Sequence, residues 1–267
     1  MIVGNTLACH VLFVSRNSTT RFSDRVEDYI RYRPSYPEEV IDRLALECGL
    51  CDESRIADVG SGTGILTRLL LDRGYSVYGI EPNREMREAG ERLLSGYKSF
   101  SSVDGTAEAT GLAGARVDLV VAGQAFHWFD FNACRKEFSR ILRPEGWVAL
   151  VWNERQTDTS PFLQDYEKLL ECLATDYRSV NHANIGIDQL NEFFMPNECR
   201  QFSFSNEQLF DFEGLVGRCL SSSYVPNVDE EGHKEFMREL NSLFERYSES
   251  GYVRFEYVTK LYLGQIG

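Results

Sequence analysis

Asp58-Val59-Gly60-Ser61-Gly62-Thr63-Gly64 is the glycine-rich stretch that decides the fold of this chain. It follows a short apolar segment, residues 56–59, and precedes aliphatic residues at helical spacing, residues 65–70. Glycine lets the backbone turn sharply and approach a ligand closely, because no β-carbon stands in the way. The start of the following helix has unpaired amide donors, which favour an electron-rich ligand group. The stretch therefore predicts a strand, a ligand-binding loop and a helix, in that order.

The alternation of strand and helix continues after this loop. Further strands are predicted at residues 76–81, 100–103, 117–122 and 147–152, and helices precede or separate them at residues 37–48, 84–94 and 132–142. Strands that alternate with helices at this spacing form a parallel sheet with right-handed crossovers and helices on both faces. The predicted fold class is therefore α/β, a Rossmann-like, doubly wound and mostly parallel sheet.

The C-terminal part of the chain is less regular. Residues 253–263 alternate apolar and polar side chains, which predicts a half-exposed antiparallel strand with residues 199–205 as its partner. Helical patterns occupy residues 161–177, 213–220 and 230–247. We therefore divide the chain into an N-terminal extension (1–21), a Rossmann-like core (22–155), and a helical lid with C-terminal strands that complete the sheet (156–267).

Two other classes of nucleotide-binding loop fit this sequence poorly. The dinucleotide pattern G-x-G-x-x-G needs a small residue at its last position, where this chain has Ile65 or Thr67. The Walker loop needs Lys-Ser or Lys-Thr after its last glycine, and neither follows Gly64. Glu81, by contrast, ends the second predicted strand, 17 residues beyond Gly64. A carboxylate at that position can accept hydrogen bonds from both hydroxyls of an adenosine ribose.

The glycine loop together with Glu81 resembles the class I S-adenosylmethionine-dependent methyltransferases, within them the small-molecule group often called type 11. The N-terminal pattern Tyr29…Arg33-Pro-x-Tyr36-Pro is similar to that of relatives resembling trans-aconitate methyltransferase. The resemblance covers residues 22–155, and further support comes from Gly105-Thr-Ala-Glu108, Gly123-Gln-Ala-Phe-His-Trp128 and Leu142-Arg-Pro-Glu-Gly-Trp147.

The resemblance implies that S-adenosylmethionine is the cofactor. The glycines would line its methionine part, Glu81 would hold the ribose, and Met86 would pack on the adenine. Thr106, which stands where many relatives carry an acidic residue, would lie at the adenine edge. The implied cofactor-binding residues are Tyr29, Arg33, Asp58, Gly60, Ser61, Gly62, Thr63, Gly64, Glu81, Pro82, Met86, Thr106, Ala107, Glu108 and Gln124.

We expect the methyl acceptor to be a small molecule that presents a carboxylate or a hydroxyl rather than a carbon. His127 stands where the family places residues that face both cofactor and acceptor, and imidazole is a common general base near neutral pH. It is the candidate catalytic residue; the alternative is a packed histidine at a strand end. A carboxylate acceptor would need a cation instead, and Arg155 and Arg178 are candidates. No metal is implied.

Two alternative functions remain open from the sequence. A catalytically silent, regulatory protein would bind S-adenosylmethionine without turning it over, because such enzymes often lack an obligatory catalytic side chain. A nucleotide-dependent oxidoreductase could be built on the same scaffold, although the glycine spacing disfavours it.

The composition restricts the partners. A net charge of −13 repels phosphate, so we expect no nucleic-acid partner. The longest N-terminal apolar run, residues 7–14, is far shorter than a membrane span and has no basic flank, so we expect no membrane partner and a cytoplasmic location. We expect a monomer or a homodimer.

Overall fold

One sheet organises the computed structural model, which describes residues 26–175, 177 and 186–267. The strands in these residues form a seven-stranded sheet in the order β3-β2-β1-β4-β5-β7-β6. The first five in this order are parallel, whereas β7 is antiparallel to both of its neighbours. The strands are β1 (Arg55–Val59), β2 (Ser76–Ile80), β3 (Phe100–Val103), β4 (Val117–Gly123), β5 (Leu142–Arg155), β6 (Arg200–Phe210) and β7 (Val253–Gly264).

Helices cover both faces of this sheet, so the predicted Rossmann-like fold class, with its antiparallel C-terminal strand, is confirmed. They are α1 (Val26–Tyr32), α2 (Glu38–Cys48), α3 (Ile65–Asp72), α4 (Arg84–Leu93), α5 (Phe131–Ile141), α6 (Pro161–Leu173), α7 (Ile187–Phe194), α8 (Phe212–Leu220) and α9 (His233–Tyr247), with a short 3-10 helix at Phe126–Trp128. None of the helices in the described part of the chain is long and apolar enough to cross a bilayer.

Side chains that alternate along the strands divide the core between the two faces. In β1, Ile56 packs on the face covered by α2 and α3, while Ala57 and Val59 pack on the face covered by α5 and α7. A further apolar cluster joins α6, α8 and α9 to one end of β7, where Phe255 is fully buried. Both faces of the central strands are therefore dry, as expected for a parallel sheet.

Several predicted boundaries differ from the observed ones. β5 begins at Leu142 rather than 147, because Leu142 already pairs with Val117. β6 continues to Phe210 rather than 205, fully paired with β7. α6 ends at Leu173 rather than 177, since the backbone of Ala174 is extended. Two helices, α1 and α7, were not predicted; α1 is only seven residues long, and none of its residues is fully buried.

The division of the chain into an extension, a core and a lid with C-terminal strands stays a proposal. The extension at residues 1–21 and the candidate cation Arg178 lie outside the described residues. β5 ends at Arg155, and the segment after it contributes the helices of the third apolar cluster and the two strands that complete the sheet. We propose that these helices form the lid.

Candidate active site

The glycine loop lies where the strand order reverses, between β1 and β4. Ligands bind at such a point, beyond the carboxyl ends of the strands. The amides of Gly60 and Ser61 both donate to the carbonyl of Ile80, at 2.8 and 3.1 Å, so the loop folds back over the end of β2. Gly60 has a φ of +71°, and a β-carbon there would lie 2.6 Å from that of Ala125. Only glycine fits this close approach.

Two backbone amides hold the side chain of Glu81 in place, one from the glycine loop and one from the turn after β2. One of its carboxylate oxygens accepts from the amide of Gly62 at 2.9 Å, and the other accepts from the amide of Asn83 at 2.8 Å. Burial raises the pKa of Glu81, whereas these two amides lower it. Each oxygen keeps a further lone pair, so the carboxylate can still accept from two hydroxyl groups.

A crevice next to Glu81, the cofactor crevice, fits the adenosyl part of the implied cofactor. Its volume is about 100 Å³. Glu81 supplies its acceptor, Met86 and Ala107 are buried apolar walls, and the glycine loop closes one side without side chains. The lining residues are Tyr29, Gly60, Gly62, Glu81, Pro82, Asn83, Met86, Ala107, Gly123, Gln124, Ala125, Trp128 and Phe129. An acceptor at one end and apolar walls beyond it are what a nucleoside needs.

Asp58 is a buried carboxyl beside this crevice. Its Oδ2 accepts from the hydroxyl of Thr67 at 2.6 Å, while Oδ1 is buried without a hydrogen-bond partner among the described residues. Burial, with a smaller contribution from the charge of Glu81, raises the pKa of Asp58 to about 7. The Oδ1 atom is therefore an acceptor that a cationic ligand group would satisfy, and a methionine ammonium is such a group.

This buried carboxyl gives a testable pH dependence of the ligand-free protein. The pKa of Asp58 is about 7 in the folded state, against about 3.9 in an unfolded chain. Between these values the folded state binds more protons at this site, so stability is lost as pH rises. The measurement is the free energy of unfolding in urea of the parent and of Asp58→Asn. The value for Asp58→Asn minus the value for the parent should rise by about 2.5 kcal/mol between about pH 5 and pH 8.

The control for this measurement is Asp104→Asn. Asp104 is mostly exposed in an ion pair with Arg87. The difference in unfolding free energy between Asp104→Asn and the parent should therefore change little between the two pH values. Parallel pH profiles for the parent and Asp58→Asn would contradict the raised pKa.

Tyr29 and Arg33 come from the end of α1 and its following turn. The Arg33 guanidinium lies 4.9 Å from the ring centre of Tyr29, and its Nη2 donates to the carbonyl of Ser221 at 2.7 Å. Both residues line a small cleft that also contains Asp58 and Ser61. The side chain of Gln124 bonds both backbone groups of Asn153, so it joins β4 to β5 while it faces the same cleft.

Four of the residues that the resemblance implied do not line the three cavities described here: Thr63, Gly64, Thr106 and Glu108. Thr63 is buried in the loop. Gly64 is the N-cap of α3, and a β-carbon there would lie 2.6 Å from Leu94 Cδ1. The Thr106 hydroxyl accepts from the amide of Ala109, and Glu108 accepts from the amide of Asp130. The Thr106 bond closes a local turn, whereas the Glu108 bond joins its loop to the N-terminal end of α5.

A larger cavity, the acceptor cavity, adjoins the cofactor crevice. Its volume is about 480 Å³, and it shares Tyr29, Gln124 and Trp128 with the crevice. His127 and Arg155 line it as the sequence led us to expect, and Tyr224 lines it as well. The other lining residues are Arg33, Pro34, Asn153, Glu154, Gln156, Thr157, Asp158, Glu167, Tyr177, Arg218, Ser223 and Tyr257.

Sequence reasoning missed the residues that α6, α8 and β7 bring to this cavity. Glu167 forms an ion pair with Arg155, and Tyr177 donates to the same carboxylate at 2.8 Å. Arg218 and Tyr257 face the cavity from α8 and β7. One signal was available: an arginine inside the apolar helix Phe212–Leu220 is costly unless it has a use. The described residues contain no group of three or more metal-ligating side chains.

Comparisons with known proteins agree with this geometry. Residues 57–150 match the model of a methyltransferase domain. An uncharacterized methyltransferase of Mycobacterium tuberculosis is 39% identical over 140 residues, 52% of this chain and 55% of that protein, so the chain spans about half the length of this relative. An uncharacterized methyltransferase of Schizosaccharomyces pombe is 29% identical over 227 residues, 83% of this chain and 86% of that protein.

Solved structures share the fold. A proposed type II methyltransferase from Anaeromyxobacter dehalogenans superposes with a TM-score of 0.67 at 20% identity, covering 88% of this chain and 98% of that chain. A methyltransferase from Geobacter sulfurreducens, solved with S-adenosyl-L-homocysteine, gives a TM-score of 0.50 at 18% identity, covering 90% and 96%. The chain therefore contains a methyltransferase domain, and it shares its fold with solved S-adenosylmethionine-dependent methyltransferases.

Proposed function

We propose that this protein transfers a methyl group from S-adenosylmethionine to a small-molecule acceptor. One observation carries the proposal: the cofactor crevice and the acceptor cavity adjoin and share the walls formed by Tyr29, Gln124 and Trp128. A volume of about 480 Å³ is typical of sites for small ligands. Two ligands bound side by side are what a direct transfer requires.

The residues of this chain would mainly bind and orient the reactants. Glu81 would hold the ribose, Met86 and Ala107 would enclose the adenine, and Asp58 with Arg33 would face the charged methionine end. When bound, S-adenosylmethionine would supply an already activated methyl group to the acceptor oxygen, with its sulfur as the leaving group. Orientation of this kind can supply several kcal/mol of the barrier.

The type of acceptor decides whether a base is needed. A hydroxyl loses a proton during the transfer, and we propose His127, which lines the acceptor cavity, as the base that takes it. A carboxylate has no proton to lose. Acceptors with a reacting carbon remain the less favoured class.

The His127→Ala variant tests this role. We expect kcat on hydroxyl acceptors to fall about 100-fold or more, with kcat on carboxylate acceptors and the affinity for S-adenosylmethionine changing by about threefold at most. The measurement uses a labelled methyl donor with matched panels of phenols, alcohols and carboxylic acids. The control is His233→Ala, since His233 bonds the carbonyl of Pro226 at the start of α9, away from the cavity. Equal losses on both panels would give His127 a packing role only.

The same assay tests the proposed function itself. Methylation of a small molecule that depends on Glu81 supports it. Tight binding of S-adenosylmethionine without turnover on any acceptor in the panels would favour the silent regulatory protein, and binding of a nicotinamide cofactor instead would favour the oxidoreductase.

A further inference from the structure

Arg218 is a buried arginine that faces the acceptor cavity without a carboxylate partner. It lies in α8 and is 6% exposed. Among the described residues it forms no ion pair; its Nε donates to the hydroxyl of Tyr257 at 3.3 Å and its Nη1 to the hydroxyl of Ser222 at 2.8 Å. A guanidinium stays charged at any ordinary pH, and burying a charge without a counter-charge is costly. The arrangement therefore calls for an anion from outside the chain.

We propose that the methyl acceptor is a carboxylate-bearing small molecule and that Arg218 binds one of its carboxylates. The inference rests on the function proposed above and names the substrate class of the same site. The guanidinium of Arg218 has N–H donors that can bind this carboxylate. A guanidinium has five N–H donors, and the bonds to Tyr257 and Ser222 use two of them. Nη2 has no hydrogen-bond partner among the described residues, so a fork toward the cavity remains available.

The guanidinium is also held in one orientation. The hydroxyl of Tyr257 accepts from Arg218 Nε and donates to Gln208 Oε1 at 3.0 Å, which ties it between β6 and β7. Ser222 belongs to the turn that ends α8. Bonds to a strand and to a turn on two sides fix the plane of the guanidinium, and a fixed fork is what bidentate recognition of a carboxylate needs.

A second arginine, Arg33, bonds the turn that ends α8 and is placed to bind a different anion. Arg33 Nη2 bonds the carbonyl of Ser221, and its Nε is buried without a partner among the described residues. Burial and the neighbouring Arg218 lower the pKa of Arg33. Arg33 lines both the Asp58 cleft and the acceptor cavity, whereas Arg218 lines only the acceptor cavity of the three. Arg33 therefore suits the cofactor's carboxylate and Arg218 the acceptor's.

The other charges of the cavity favour a singly charged group. Glu167 is already neutralised by Arg155 and the hydroxyl of Tyr177. Glu154 is half-buried and Asp158 is exposed at the mouth. These wall carboxylates repel a doubly charged phosphate more strongly than a carboxylate. A carboxylate is therefore the anion that the cavity fits.

Calorimetry on the complex with S-adenosylhomocysteine tests the proposal. The probes are the monocarboxylates benzoate, phenylacetate and 3-phenylpropionate, their neutral amides, and inorganic phosphate. We expect the parent to bind at least one carboxylate and to bind the amides and phosphate about 30-fold more weakly. Arg218→Leu should lose at least about 30-fold in carboxylate affinity, because the buried partner of the anion is gone. Arg218→Lys should lose about tenfold, since an ammonium keeps the charge without the fork.

The matched control is Arg116→Leu, the same change at an exposed arginine that does not line the cavity. It should leave carboxylate affinity as in the parent. Unchanged affinity for S-adenosylhomocysteine establishes that each variant is folded; if Arg218→Leu fails this check, Arg218→Lys decides. Four results would each overturn the proposal: carboxylate affinity unaffected by Arg218→Lys or Arg218→Leu, equal binding of the neutral amides, preference for phosphate, or no carboxylate binding by the parent. No binding of S-adenosylhomocysteine by the parent would contradict the proposed function instead.

Discussion

Glu81→Ala should weaken the binding of S-adenosylmethionine by about 100-fold or more. The carboxylate would accept two hydrogen bonds from the ribose, and a bond to a charged group contributes about 1.5–3 kcal/mol. The substitution also removes the acceptor of the Gly62 and Asn83 amides, which hold the loop against the turn after β2. Isothermal calorimetry with the cofactor and with S-adenosylhomocysteine gives the two affinities directly.

Glu108→Ala is the control for this prediction. The sequence marks both glutamates as candidates, but Glu108 accepts from the amide of Asp130 and lies outside the cavities described above. Its substitution should change cofactor affinity by about threefold at most. Equal losses in the two variants, or none in Glu81→Ala, would remove Glu81 from the cofactor site.

Gly60→Ala should abolish most cofactor binding, whereas Gly74→Ala should not. Both glycines have positive φ, +71° and +87°, so alanine costs about 1–2 kcal/mol at either position. A β-carbon at Gly74 would have no atom within 4 Å, whereas one at Gly60 would lie 2.6 Å from the β-carbon of Ala125, in the wall of the cofactor crevice. The loop must move to relieve that contact, and overpacking of this kind costs about 1–3 kcal/mol.

The comparison between the two alanine variants separates backbone strain from damage to the crevice. Urea unfolding should show that both are destabilised, and calorimetry should show at least about a tenfold loss of cofactor affinity in Gly60→Ala alone. Similar cofactor affinities for the two variants would contradict the close approach of the loop to Ala125.

The parallel half of the sheet and its crossover helices could be predicted because their signals are local. Gly49 caps the C-terminal end of α2, and Gly74 follows the end of α3; both have a positive φ. The α1 helix could not be predicted in this way, since it buries no residue of its own and is positioned by contacts with α8. The cofactor candidates were predictable only where a motif carries them. Thr106 and Glu108 lie in a stretch that resembles the family, but their side chains accept from the amides of Ala109 and Asp130.

The sequence by itself determined the α/β architecture, the glycine loop and Glu81, because each depends on residues close together along one strand–helix unit. Only the tertiary structure decided the acceptor cavity. Arg33 comes from the turn after α1, Arg155 from β5 and Arg218 from α8. Arg33 and Ser221, whose carbonyl it bonds, are 188 positions apart in the chain. A site made of such distant segments leaves no periodicity or spacing in the sequence, since its geometry follows from how the helices pack on the sheet.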